Sequence, residues 1–275
     1  HEAYPGRVID VGIAEAEAVA SAAGMAYQGA HPVVALYATF LNRGFDQLLM
    51  DVALHRAGVT FVLDRAGVTG ADGASHNGVW DIAMCSIIPG LRLAAPRDEE
   101  TLRARLREAL DVDDAPTVIR YRKGALPEPM PAVRSVGGVD ILFDEAVDGS
   151  SARVLIVGTG ACAPDAIEAA RRLSAGGVSV TVADPQWMIP VCPELATLAR
   201  DSDCVVSVED GIVQGGFGWS LRDAVAEAGV PVRCLGVPQG FPEHGDRGEM
   251  IAQFGFDADG IERAARELVE RISDR

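Results

Sequence analysis

A glutamate near the start of a predicted helix is the first residue whose position suggests chemistry. Glu15 follows a predicted strand at residues 8–11 and shares a helical face with apolar residues, Val19 among them. Glu17, two positions on, points the other way. A carboxyl group on the buried side of a helix can share a proton near neutral pH, as acid–base catalysis requires. A glutamate that only complements the helix dipole is the alternative interpretation.

A glycine-rich loop, residues 64–78, follows the end of another predicted strand. Parallel sheets bind ligands at the carboxyl ends of their strands, and long loops there often carry function. The glycines allow a ligand close to the backbone, while Arg65, Asp72 and His76 supply a cation, a carboxylate and a titratable base. The composition fits a plain surface loop equally well.

Two further crossings from strand to loop add aromatic and cationic side chains. The first carries Tyr37, Phe40 and Arg43, although a phenylalanine taken alone is more typical of a core than of a ligand platform. The second is the basic run at residues 120–124, whose three cations could hold a phosphate together with Arg65 or simply form a solvated turn.

Two glycine motifs are interpreted as turns. Residues 157–163 superficially resemble a dinucleotide fingerprint, but no acidic residue closes the next strand in the expected role. Residues 209–218 are interpreted as a turn packed at a subunit or domain contact.

Composition limits the classes of partner. The 275 residues carry a net charge of −16, which opposes binding to nucleic acid or to an anionic membrane. Five cysteines without a C-x-x-C pair fit reduced thiols in the cytoplasm. No apolar run approaches the ~20 residues of a membrane helix. We expect small-molecule substrates and no metal site among these residues.

The elements that position these residues alternate as in α/β proteins. We predict two domains, each a mostly parallel sheet flanked by helices, at residues 1–124 and 137–275, joined by a proline-rich linker at residues 125–136. The later helices are predicted at residues 165–174, 194–199, 219–228 and 258–272. The predicted strands are residues 8–11, 33–37, 59–64, 91–95, 117–120, 154–157, 178–183, 204–209 and 230–235, with a strand or hairpin at 137–147.

Four motifs, in this order, resemble the 1-deoxy-D-xylulose-5-phosphate synthase family of transketolase-like enzymes. They are residues 10–15, 37–43, 64–76 and 120–124, and the similarity continues through residues 208–210 and 215–218. The resemblance implies a transketolase-like pyrimidine-binding domain, here lacking its first strand, and a transketolase-like C-terminal domain. It also implies a homodimer that uses thiamine diphosphate and Mg²⁺ to decarboxylate pyruvate and pass its two-carbon unit to glyceraldehyde 3-phosphate.

The same resemblance assigns roles to particular residues. Glu15 would bond the aminopyrimidine of the cofactor and promote its imino form, Phe40 would stack on that ring, and Arg43 would lie beside it. Three residues would hold the acceptor phosphate, namely Tyr37, Arg65 and Lys123. Asp72 and His76 would lie near the hydroxyl and aldehyde groups of the acceptor.

The chain departs from the family pattern at Ala16 and Glu17 in place of Gln-His, at Ala38 in place of serine, at Arg122 in place of proline and at Gly211 in place of asparagine. It opens at His1, and the family's N-terminal domain, with the Gly-Asp-Gly motif for metal and diphosphate, is absent. We therefore expect this chain alone to be inactive. The C-terminal subunit of another transketolase, the β subunit of a 2-oxoacid dehydrogenase and a non-catalytic assembly module are the competing hypotheses.

Overall fold

A computed structural model describes residues 3–274 as two β-sheets, each flanked by helices. The predicted fold class is therefore confirmed. One buried apolar cluster takes side chains from both sheets, Phe61 and Leu155 among them. Leu93 of the first sheet also donates its N–H to the carbonyl of Ile189, which follows a strand of the second. The two halves thus share a packed core.

The first sheet has four parallel strands in the order β1-β2-β4-β3. Tyr37 pairs in register with Asp64, and Leu63 with Arg120. These strands therefore end at one edge of the sheet, and the loops that carry the predicted site residues leave from that edge. The strands are β1 (Val33–Tyr37), β2 (Thr60–Asp64), β3 (Arg92–Ala94) and β4 (Thr117–Arg120).

Four α-helices and two irregular helical segments pack on this sheet. In α1 the buried residues include Glu15 and Val19, as the helical face predicts, while Glu17 is exposed. Helix α4 begins with a capping box formed by Asp98 and Thr101. The segments are α1 (Glu15–Tyr27), a 3₁₀ helix (Ala38–Gly44), α2 (Phe45–Gln47), a π-helical turn (Leu48–Ala53), α3 (Asp81–Ser86) and α4 (Glu99–Leu110).

The second sheet has six strands in the order β10-β9-β7-β8-β6-β5. The first four are parallel, and β5 and β6 form an antiparallel hairpin that pairs with β8. The strands are β5 (Arg134–Val136), β6 (Val139–Glu145), β7 (Arg153–Gly158), β8 (Ser179–Pro185), β9 (Cys204–Ile212) and β10 (Val232–Val237). The helices are α5 (Ala163–Ala175), α6 (Pro193–Arg200), α7 (Phe217–Ala224), α8 (Arg247–Phe254) and α9 (Ala258–Ser273), with 3₁₀ turns at Gly160–Cys162 and Ala226–Ala228.

The structure differs from the predicted elements in three places. The strand predicted at residues 8–11 is wrong, since residues 3–14 form neither helix nor strand. The apolar side chains Val8 and Ile9 are exposed there, and this segment pairs with no strand of either sheet. Helix α8 was not predicted. Residues 121–133 contain no regular element, while β5 falls inside the predicted linker, so the domain boundaries at residues 124 and 136 stay predictions.

None of the helices in the described part of the chain is both long and apolar enough to cross a membrane.

Candidate active site

Glu15 lies at the first turn of α1 with its side chain almost fully buried. Its carboxylate is 3.5 Å from the guanidinium of Arg43, which is half exposed. Arg43 in turn lies over the ring of Phe40, with its guanidinium carbon 4.7 Å from the ring centroid. The 3₁₀ helix after β1 carries both Phe40 and Arg43, so one turn of backbone places an arginine between a buried carboxylate and an aromatic face.

The ring of Phe40 is half-buried and belongs to none of the buried apolar clusters among the described residues. It stacks on Tyr37, with centroids 6.0 Å apart, and meets the edge of the His76 imidazole at 5.5 Å. Phe40 is therefore a contact surface between three candidate residues and not a core side chain.

Arg65 occupies a strained backbone position directly after β2. Its φ of 58° lies in the left-handed region, which non-glycine residues adopt at a cost of about 1–3 kcal/mol and which is frequent at functional sites. Its guanidinium lies 3.9 Å from the centroid of the Tyr37 ring and 2.5 Å from the carboxylate of Asp64. These two contacts hold the cation at the edge where the strands end.

Asp72 and Lys123 form an ion pair across the same edge. The Lys123 ammonium donates to both carboxylate oxygens of Asp72 at 2.8 Å. This hydrogen bond holds the pKa of Asp72 below its usual value, and the nearby Arg65 guanidinium acts in the same direction. Arg65 and Lys123 thus lie at the ends of two neighbouring strands, where Arg65 pairs with Asp64 and Lys123 pairs with Asp72.

Internal hydrogen bonds fix the glycine-rich loop. Its base closes where Gly67 and Gly78 exchange N–H and carbonyl groups, at 2.8 and 2.9 Å. The amide of Asn77, fully buried, accepts from the Thr69 N–H at 2.8 Å. The Thr39 hydroxyl donates to the carbonyl of Ser75 at 3.0 Å and ties the loop to the 3₁₀ helix that bears Phe40. These hydrogen bonds give the loop a fixed conformation, so it is not a plain solvated surface loop.

The second domain holds this loop through a buried carboxylate. Asp210, at the end of β9, accepts the N–H of Val68 at 2.9 Å, and its other oxygen lies 2.7 Å from Arg247. Arg247 also donates to the carbonyl of Val68. Gly67 has a φ of 80°, and a Cβ built on it would lie 2.1 Å from the Asp210 carboxylate, so only glycine allows this approach.

Arg120 does not have the role expected of the basic run. It is buried and donates to Asp81 at 2.7 and 3.2 Å and to the carbonyl of Asp210 at 2.8 Å. A guanidinium committed to these partners cannot also hold a ligand phosphate at the surface, so this expectation is corrected. Of the cations in the run, Lys123 faces the candidate site, and Arg122 is exposed.

Two buried carboxyl groups of the second sheet have pKa values above the usual range. Burial raises the pKa of Glu209 to about 7, although the N–H groups of Phe217 and Gly218 donate to its two oxygens and favour the ionised form. Burial likewise raises the pKa of Asp184 to about 7, against the opposing effect of Arg97. Glu209 thus fixes the turn before α7. The sequence predicted a turn here at a subunit or domain contact, and the N–H of the neighbouring Ile212 donates to the carbonyl of Val79 in the first domain.

The structure brings together all eight residues that the sequence singled out. Their contacts run from Glu15 through Arg43, Phe40 and Tyr37 to Arg65, and His76 lies against Phe40. Lys123 pairs with Asp72, whose carboxylate is near enough to Arg65 and His76 to interact with them electrostatically. Within residues 3–274, no group of three or more His, Cys, Asp or Glu side chains is arranged to hold a metal.

Sequence reasoning assigned no role to Asp81, Asp210 or Arg247, although Asp210 lies within the matching residues 208–210. A charged residue opening the apolar helix α3 was a usable signal for a buried ion pair at Asp81. Nothing in the local sequence marked Arg247, because its partners lie far away along the chain.

Comparison with known proteins places this geometry in a family. Residues 1–129 match the transketolase pyrimidine-binding domain, and residues 146–261 match the transketolase C-terminal domain. A 1-deoxy-D-xylulose-5-phosphate synthase 2 from Streptomyces avermitilis is 53% identical over 99% of this chain, and a 1-deoxy-D-xylulose-5-phosphate synthase from Corynebacterium glutamicum is 52% identical over 94%. This chain spans 42% of the length of each relative.

Two solved structures share the fold. A split-gene transketolase, determined as an inactive β4 tetramer, superposes with a TM-score of 0.83 at 27% identity, covering 98% of this chain and 86% of that one. A transketolase from Leishmania mexicana superposes with a TM-score of 0.74 at 24% identity, covering 94% of this chain and 37% of that one. The chain belongs to the transketolase-like enzymes, carries their pyrimidine-binding and C-terminal domains, and is similar over its whole length to 1-deoxy-D-xylulose-5-phosphate synthases.

Proposed function

We propose that this chain supplies the pyrimidine-binding half of a thiamine-diphosphate site and the acceptor-binding residues of a 1-deoxy-D-xylulose-5-phosphate synthase. That enzyme would join the two-carbon unit of pyruvate, after loss of CO₂, to glyceraldehyde 3-phosphate. The observation that carries the proposal is the position of Phe40, whose ring contacts Arg43, Tyr37 and His76. Residues expected for the cofactor and for the acceptor therefore meet at one ring.

The cofactor half fits an aminopyrimidine on two counts. The Glu15 carboxylate is buried, and its ion-pair partner among the described residues, Arg43, stands off at 3.5 Å. Phe40 offers a half-buried aromatic face outside the cores. When bound, thiamine diphosphate would supply the electron sink for decarboxylation and transfer. Glu15 would hold or release a proton against the pyrimidine, Phe40 would fix its plane, and Arg43 would orient the carboxylate.

The acceptor half is a cationic edge with a titratable neighbour. Tyr37, Arg65 and Lys123 would hold the phosphate of the acceptor, since guanidinium and ammonium groups donate charge-assisted hydrogen bonds to phosphate. Lys123 would exchange its contact with Asp72 for the phosphate. Asp72 and His76 would then face the hydroxyl and aldehyde groups of the acceptor.

The rest of the enzyme would lie outside this chain. Mg²⁺ and the diphosphate would bind to the region that the relatives carry beyond the matched span. We propose residues 1–124 and 137–275 as the two domains, a homodimer as the assembly and the cytoplasm as the setting. The reaction would open the methylerythritol phosphate route to isoprenoids and supply precursors of thiamine and pyridoxal.

A second candidate is the subunit of another divided thiamine-diphosphate enzyme. The likeness to the split-gene transketolase, which covers 86% of that chain, favours an architecture in which this part is a separate polypeptide. Acceptor profiling with pyruvate as donor separates the two candidates, because only the synthase would favour glyceraldehyde 3-phosphate.

Reconstitution tests the proposal. The purified chain, given thiamine diphosphate, Mg²⁺, pyruvate and glyceraldehyde 3-phosphate, should form no product, and adding the region that completes the relatives should produce turnover. In that assembly Glu15→Gln should lower turnover roughly 100-fold or more, because an amide cannot relay a proton. Glu17→Gln, on the exposed side of the same helical turn, is the matched control. Robust turnover by the chain alone, or equal activity of the two variants, would contradict the proposal.

A further inference from the structure

Asn77 follows His76 in the glycine-rich loop and is completely buried. It is not one of the eight candidate site residues. A buried side-chain amide is stable only when its polar atoms are hydrogen-bonded, because an unpaired one costs free energy on leaving water. The role of Asn77 is therefore defined by the partners of its amide group.

The two ends of this amide bind opposite sides of the loop. Its oxygen accepts the N–H of Thr69 at 2.8 Å, and its nitrogen donates to the carbonyl of Gly73 at 3.0 Å. A main-chain N–H can only donate and a carbonyl can only accept, so these partners fix which end of the amide faces which. One side chain thus bridges the first half of the loop and the turn that follows Asp72.

The carbonyl of Gly73 is the point at which Asn77 holds this turn. It accepts the main-chain N–H of His76 at 3.0 Å as well as the Asn77 side chain. Asp72 directly precedes Gly73, and His76 ends the turn. The directions of the Asp72 and His76 side chains therefore depend on one carbonyl group that Asn77 keeps in place.

The same amide also reaches the second domain. Its nitrogen donates to the carbonyl of Pro242 at 3.4 Å, and Pro242 is buried in the segment between β10 and α8. In that segment the N–H of Gly245 donates to the carbonyl of Gly70 at 3.3 Å. Residues 242–245 therefore support the turn from the side of the second domain, and Asn77 is the side chain through which they reach it.

We propose that Asn77 is a positioning residue of the acceptor site, which sets Asp72 and His76 toward the hydroxyl and aldehyde groups of the acceptor. The inference rests on the proposed function for the identity of the acceptor, and on the hydrogen bonds of Asn77 for the positioning. Asn77 acts through the turn and does not itself touch the acceptor.

The phosphate end of the acceptor site has separate supports. Arg65 is held by the ring of Tyr37 and the carboxylate of Asp64, and neither contact involves the turn at residues 73–76. Loss of the Asn77 amide should therefore displace the groups that face the carbonyl end of the acceptor and leave the Arg65 cation in place. This difference separates positioning by Asn77 from a general loss of structure.

The first test needs no change to the protein. The chain contains two asparagines, Asn77 and the exposed Asn42, so labelling with nitrogen-15 asparagine gives NMR signals from two side-chain amides. The Asn77 amide hydrogens should exchange with solvent roughly 100-fold or more slowly than those of Asn42, because they are buried and bonded to two carbonyl groups. Equal exchange of the two amides would overturn the proposal, whatever the activity of the chain.

Two variants and a control test whether Asn77 holds the turn. Asn77→Asp keeps the size of the side chain and the acceptor for Thr69 but loses both donors, and Asn77→Ala loses every bond. In both variants, hydrogen exchange in residues 70–76 of the purified chain should accelerate roughly tenfold or more, while exchange in α9 stays within about twofold. Thr117→Val removes a buried hydroxyl contact with Thr60 at the opposite edge of the first sheet, so it is the matched control and should leave residues 70–76 unchanged. Unchanged exchange in both Asn77 variants, or equal acceleration in α9, would contradict the proposal.

Kinetics of the completed enzyme test the link to the acceptor. Asn77→Ala should lower kcat/KM roughly tenfold or more for glyceraldehyde 3-phosphate and for unphosphorylated glyceraldehyde alike, and decarboxylation of pyruvate before acceptor capture should stay within about twofold of the wild type. A loss confined to the phosphorylated acceptor, an equal loss in the decarboxylation step, or no loss at all would rule out this positioning role. If the wild-type enzyme itself does not use glyceraldehyde 3-phosphate, the proposed function fails, and the exchange measurements on the chain still decide whether Asn77 holds the turn.

Discussion

The ammonium group of Lys123 lies 2.8 Å from each carboxylate oxygen of Asp72. The pair joins the segment after β4 to the glycine-rich loop after β2. Lys123 is also the sole lysine of the chain, so the pair can be followed without interference from other ammonium groups.

The first prediction concerns this pair. Because the hydrogen bond from Lys123 holds the pKa of Asp72 down, Lys123→Ala should raise that pKa toward the ordinary value of an aspartate. Carbon-13 NMR of the Asp72 carboxyl group across pH 2–6 measures the change. Arg134→Ala, which removes the partner of Asp144 on the other sheet, is the control and should leave the Asp72 titration alone. An unchanged Asp72 pKa in Lys123→Ala would show that the pair does not persist in solution.

The second prediction concerns Asp210, which binds the glycine-rich loop to the second domain. Asp210→Asn leaves an acceptor for the Val68 N–H but deprives Arg247 of its buried counter-charge, and breaking a buried ion pair in this way costs about 3 kcal/mol or more. The free energy of unfolding should fall, and hydrogen exchange in residues 67–78 should accelerate by more than exchange in α9. Asp259→Asn, which breaks an exposed ion pair with Arg172, is the matched control. It should change the free energy of unfolding and the exchange in residues 67–78 only a little. Equal acceleration throughout the chain would contradict a local hold.

Much of the candidate site could be predicted because parallel strands end at a common edge. Once the strands at residues 33–37, 60–64 and 117–120 are placed in one sheet, Tyr37, Arg65 and Lys123 must leave it on the same side. The apolar face of α1 likewise predicted a buried Glu15. These inferences needed only periodicity and topology.

The remaining features depend on packing between distant segments. Val68 and Asp210 are 142 positions apart, and their contact follows from how two sheets dock, which no local pattern encodes. Asp81, the partner of Arg120, is 39 positions away and lies on another element, so a buried ion pair was mistaken for a surface cation. Gly211, where the related pattern has asparagine, lies against α3, and a Cβ there would be 3.0 Å from Ile82, a constraint invisible without the docked domains.

The third prediction concerns stability and pH. Burial raises the pKa of Glu209 to about 7 in the folded chain, above the value of 4.5 for a solvent-exposed glutamate. Folding therefore takes up a proton between these values, and the stabilisation, complete below pH 4.5, is lost as pH rises to about 7. A glutamine at position 209 cannot take up this proton, so the stability of Glu209→Gln does not depend on pH through this site. Its free energy of unfolding relative to the wild type should therefore rise by about 2 kcal/mol between pH 5 and pH 8.

Urea denaturation at pH 5, 6, 7 and 8 measures this difference. Glu227→Gln, at an exposed position in the same domain, is the control and should run parallel to the wild type at every pH. A difference between Glu209→Gln and the wild type that stays constant with pH would show that the two backbone N–H donors keep Glu209 ionised throughout.

The last prediction concerns the acceptor and rests on the proposed function. Arg65 is held over Tyr37 at the sheet edge, and its charge reaches Asp72, the partner of Lys123, so its cation is placed to bind a phosphate group. Loss of one charge-assisted hydrogen bond to phosphate in a desolvated site costs about 2 kcal/mol. In the completed enzyme Arg65→Ala should therefore lower kcat/KM for glyceraldehyde 3-phosphate roughly 30-fold or more, and Arg65→Lys should recover part of the loss. Decarboxylation of pyruvate before acceptor capture should suffer less, because that donor carries no phosphate. Unphosphorylated glyceraldehyde is the matched comparison: if Arg65→Ala impairs both acceptors equally, the cation supports the fold of the loop through Asp64 and does not bind the phosphate.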